Sequence, residues 1–74
     1  MLNCPLLKAH MLLAHVSTKD LADAQGWSMS TTYRKINGRV LFNSKEIQIA
    51  VDLLGLSMEI ATEIFFAPDL SSTS

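Results

Sequence analysis

The chain has a single cysteine, Cys4, so no disulfide can form within it, and a bridge between molecules is the lesser alternative. A reducing, cytoplasmic setting is therefore expected. No apolar run approaches the ~18 residues that suggest a membrane span. The opening MLNCPLLKAHMLLAHV lacks both a basic leading segment and a small-residue cleavage site. It is read as the approach to a first helix rather than as an export signal. Also missing are a phosphate-cradling glycine loop, a nucleophile beside a base, and paired carboxylates on one face, which argues against an enzyme. Cys4, His10 and His15 stand six and five residues apart. Those spacings put no three ligands on one helical face, so no zinc pattern exists and no cofactor is expected. The two histidines read as exposed residues near a helix end.

No base follows Lys45. Residues 1–45 hold all six bases (Lys8, Lys19, Arg34, Lys35, Arg39 and Lys45) against Asp20 and Asp23, a balance of +4. Residues 46–74 hold five acids and no base, a balance of −5, so the net charge of −1 hides a polar split. A local field of this kind matters more than net charge when phosphates are met.

Seventy-four residues, 49% of them hydrophobic, allow one domain with a small core. We assign residues 1–68 to that domain and 69–74 to a small, polar, disordered tail. The first helix is expected over Pro5–His15, with Leu7, Met11 and Ala14 packing on the second helix. Leu6, His10 and Leu13 form a further, partly apolar stripe. Ser17 caps a helix over Thr18–Gln25, with Asp20 in its first turn. Gly26 ends that helix in the left-handed conformation that glycine enters without a Cβ clash. Ser28 caps a third helix over Met29–Ile36, closed by Asn37-Gly38. A fourth, capped by Asn43 or Ser44, runs to about Leu54 with Ile47, Ala50, Val51 and Leu54 on its buried face. Ser57 caps the fifth, Met58 to about Phe66, before Pro68 stops it. A glycine turn followed by a capped helix is the grammar of a helix-turn-helix.

The ordered set Leu21-Ala22 … Gly26-Trp27-Ser28-x-Ser30-Thr31 … Asn37-Gly38 resembles the lambda repressor and Cro type of helix-turn-helix protein, common in bacteriophages and bacteria. The resemblance extends over roughly residues 7–66. It implies an all-α, five-helix domain in which helices two and three form the helix-turn-helix, and a regulator that binds operator sequences in double-stranded DNA. Helix three would be the recognition helix, with Thr32 and Ile36 inward. Met29, Ser30, Tyr33 and Arg34 would meet bases: Arg34 bidentate to a guanine, Ser30 to either base type, Met29 on a thymine methyl. Thr18, Lys19, Thr31, Lys35, Asn37 and Arg39 would hold the sugar-phosphate backbone. Family members often carry glutamine where Thr18 stands, so Thr18 has two readings, a shorter phosphate contact or a plain first-turn residue. Many also pair a buried arginine on helix one with a glutamate before the Asn-Gly. Here Met11 and Ile36 occupy those positions, a joint exchange that avoids a lone buried charge.

Helix five carries more apolar residues than one face needs. Met58, Ala61 and Phe65 are expected inward, leaving Ile60, Ile64 and Phe66 for a homodimer interface, with Phe66 alternatively closing the core. The other functional reading is a helix-turn-helix protein that binds another phage regulatory protein, such as a repressor, instead of DNA.

Overall fold

Five helices follow one another in the computed structural model, which describes residues 2–67: α1 (Cys4–Leu13), α2 (Thr18–Gln25), α3 (Met29–Ile36), α4 (Ser44–Leu54) and α5 (Met58–Phe65). No strand occurs among the described residues, and the expected stop at Pro68 and the tail 69–74 lie outside them.

Short polar side chains start every helix. Asn3, Ser17, Ser28, Asn43 and Ser57 each accept a hydrogen bond from a backbone N–H three residues on, satisfying a donor the helix itself leaves open. At α2 and α4 the bond is reciprocal, because Asp20 accepts from the Ser17 N–H and Glu46 from that of Asn43. Such caps typically stabilise by about 1 kcal/mol each. Gly26 ends α2 with φ of 74°, a left-handed conformation that glycine enters without a Cβ clash.

The first helix departs from expectation at both ends. Asn3 caps it one residue earlier than Pro5 suggested, and it closes at Leu13 rather than His15. His15 instead takes the left-handed conformation, with φ of 57°. The Val16 N–H then reaches back to the Met11 carbonyl at 2.9 Å, closing the helix as a glycine usually does.

Leu7, Leu21 and Ile64 are wholly buried, and Met11, Ile36, Ala50, Leu54, Ala61 and Phe65 surround them. The expected inward faces of α1 and α4 hold, with Ile47 and Val51 half-buried beside Ala50 and Leu54. The neighbour of α1 differs: it packs chiefly on α5 and α3, while α2 packs on α3 and α4. A 2.7 Å bond from the Asn3 N–H to the Ile64 carbonyl ties the start of α1 to the end of α5. Helix α5 also turns a different face inward. Ala61, Ile64 and Phe65, spaced i, i+3, i+4, are buried together, whereas Met58 in the first turn is 85% exposed. Ile64 is thus a core residue, not a surface one. Among the described residues, no helix is long and apolar enough to cross a membrane.

Candidate functional site

The basic, N-terminal part of the chain places its polar side chains around α3. Thr32, Lys35 and Ile36 fall on one arc of that helix and are buried; Thr32 donates to the Ser28 carbonyl at 2.8 Å. The opposite arc is open to solvent. It carries Met29, Ser30, Tyr33 and Arg34, all exposed, and continues through Asn37 and Arg39. Arg34 donates to the Ser30 hydroxyl at 3.1 Å, so these two side chains form one polar unit. Tyr33 and Asn37, one turn apart, make a ridge between two clefts. One cleft is bounded by Ser30, Arg34 and Arg39. The other is lined by the apolar side chains of Met11, Val16 and Ile36 and the exposed Leu12, together with Lys8, Ser17 and Thr18.

The backbone-contact candidates differ in exposure and pairing. Asn37 and Arg39 are exposed beside the α3 arc, and Thr18 is half-buried in the second cleft. Thr31 is half-buried at the start of α3, its hydroxyl accepting from Ser28 at 3.1 Å. Lys19 is exposed but paired with Asp23 at 3.1 Å, which neutralises its charge locally. Lys35 does not belong to this surface.

Lys35 is only 8% exposed. Its ammonium donates to Glu46 Oε1 and to the Leu41 carbonyl, both at 2.8 Å. It also lies 5.1 Å from the centre of the Trp27 ring and 6.0 Å from that of Phe42. The cause is position: Lys35 stands three residues after Thr32 and one before Ile36, on the buried arc. A charge there needs a partner, and α4 supplies it. Around this pair runs an aromatic chain, Trp27 edge-on to Phe42 at 5.5 Å and Phe42 to Phe65 at 5.1 Å. It joins the turn before α3 to α5. Burial pushes the Glu46 carboxyl up, but the Lys35 hydrogen bond and charge, with N–H groups of Asn43 and Trp27, hold it below its ordinary value. Asp20 is also held low, first by the Ser17 N–H and then by the Ser17 hydroxyl.

Lys8, on α1, also reaches this surface. It donates from α1 to the Asn37 amide oxygen at 2.8 Å, across 29 residues of chain, and no local pattern foretells that contact. Among the described residues, only Lys19–Asp23 and Lys35–Glu46 form ion pairs between side chains. Lys8, Arg34 and Arg39 therefore present charge without a carboxylate partner there. No three of His, Cys, Asp and Glu come together among the described residues to hold a metal. No protein-family model, curated protein or solved structure matches the chain.

Proposed function

We propose that the chain is a regulator of the lambda repressor and Cro type, a cytoplasmic helix-turn-helix protein that binds operator DNA as a homodimer. One observation carries this reading: α3 is pinned by its Thr32–Lys35–Ile36 arc while Met29, Ser30, Tyr33 and Arg34 stand free on the other. A helix held on one side, with a guanidinium, hydroxyls and a thioether on the other, fits major-groove recognition. The unpartnered charges of Lys8, Arg34 and Arg39 favour phosphates flanking that groove. The test is a selection of bound duplexes from random DNA, followed by a salt titration. A common pseudo-palindrome and a log–log salt slope of about −0.9 per neutralised phosphate are expected. Selected pools without consensus, bound equally at all salt concentrations, would refute the reading.

For the homodimer, Ile64 is unsuitable because it lies in the core, and Ile60 is half-buried against it. Phe66 remains, 63% exposed, beside a groove that also includes Leu2, Val40 and Leu41. This surface follows α3 directly in the chain, so a second copy docked there would set the spacing of two recognition helices. Two half-sites roughly 34 Å apart are the expectation for such a pair. The alternative, capture of another phage regulatory protein, is favoured by one observation: Leu12 and Leu13 are 77% and 73% exposed at the end of α1. Binding of that kind would show little of the steep salt dependence that DNA demands.

A further inference from the structure

We propose that Lys8, on the Asn37 side of α3, seats one DNA phosphodiester in the cleft between α1 and α3. The proposal rests on the DNA-binding reading above and adds to it a residue from outside the two central helices. Lys8 is exposed and spends one N–H on the neutral Asn37 amide, leaving two donors and a full positive charge. No carboxylate within ion-pair distance offsets that charge among the described residues. Asp20, the acid in the first turn of α2, is turned back onto the Ser17 N–H at 3.0 Å. The same cleft is lined by Thr18 and Tyr33, whose hydroxyls are further donors. One cationic donor and two hydroxyl-bearing residues thus line a single open cleft that also presents apolar side chains. An anion is the complementary ligand. The same ridge of Tyr33 and Asn37 borders the Ser30–Arg34–Arg39 cleft. A backbone phosphate at Lys8 would therefore lie beside a groove occupied by α3, and Lys8 would fix register without reading sequence.

The experiment compares wild type, Lys8→Gln and Lys8→Arg on a selected duplex and on random-sequence duplex across a salt series. Lys8→Gln should weaken both duplexes by the same factor and make the salt slope shallower by about 0.9, the value of one phosphate. Lys8→Arg should keep the wild-type slope. An unchanged slope in Lys8→Gln, or a loss confined to the selected duplex, would overturn the proposal while leaving DNA binding intact. Competition by inorganic phosphate that abolishes the Lys8-dependent part alone would overturn the assignment to DNA and leave a free-phosphate site. Wild type that binds neither duplex at any salt would remove the regulator reading itself.

Discussion

His15 sits where a glycine would be at ease. Its φ of 57° costs a residue with a Cβ roughly 1–2 kcal/mol, although histidine tolerates the region better than bulky or branched residues do. The side chain is exposed, so no packing depends on it. His15→Gly should stabilise the domain by about 1 kcal/mol, a rise of about 4–8 °C in the midpoint of thermal denaturation followed by circular dichroism. A fall in the midpoint would mean that the imidazole makes a contribution beyond its backbone conformation. The same residue shows what a sequence reveals at this scale. Ser17, Gly26, Ser28 and Ser57 are legible as helix ends because each residue type favours one backbone role. A histidine announces no such role, and the apolar pattern of α1 gives no stop before it. Lys35 was hidden for another reason. Lysine normally lies outside, yet its place one residue before Ile36 and three after Thr32 puts it on the buried arc, and its partner waits on another helix.

At the scale of elements, the Lys35–Glu46 pair joins α3 to α4 while Glu46 also closes the cap of α4. Both side chains are more than four-fifths covered, and removing one partner leaves the other charge stranded. Glu46→Gln should cost about 3 kcal/mol, near the lower end for a broken buried pair. Replacing both, Lys35→Met with Glu46→Gln, should recover much of that, and a fully additive loss in denaturant titrations would show that the pair is not coupled. The pair also sets a pH dependence. Glu46 is a stronger acid in the folded chain than its ordinary value of 4.5. Its contribution is therefore complete above that value and is lost as pH falls through the lower folded value. Acid should destabilise wild type more steeply than Glu46→Gln below about pH 4.5. Equal pH profiles would dissociate Glu46 from acid sensitivity. Neither the cap nor the bridge is obscure alone: Asn43 followed three residues later by Glu46 is a readable capping box. The long-range bond to Lys35 is a property of packing, and spacing cannot supply it.

The whole molecule is organised by where apolar surface remains after the core is filled. Helix α5 is legible as a helix, and the exposed Glu59, Thr62 and Glu63, spaced i, i+3, i+4, mark its outer side. Within the wide apolar arc that Met58, Ile60, Ala61, Ile64, Phe65 and Phe66 share, hydrophobicity alone does not choose which residues are buried. Packing decides the rotation by burying Ala61, Ile64 and Phe65. Phe66→Asp should accordingly give a folded monomer in analytical ultracentrifugation with much weaker operator binding. Ile64→Asp should instead cost the fold, since it would place a charge at a wholly buried position. A Phe66→Asp protein that remains dimeric would move the interface to Leu12 and Leu13. The division of charge was fully legible, being a matter of composition, and the structure gathers Lys8, Arg34 and Arg39 around the exposed side of α3.

Trp27 is the chain's only tryptophan, and it stands immediately before α3, edge-on to Phe42 with the Lys35 ammonium over its ring. Its ultraviolet emission therefore originates from one known place in the molecule. A neighbouring cation and partial shielding from water both tune the colour and brightness of that light. Any event that loosens α3 from α4 alters them together, so the protein carries a native fluorescent gauge of how firmly α3 is seated, with no dye attached.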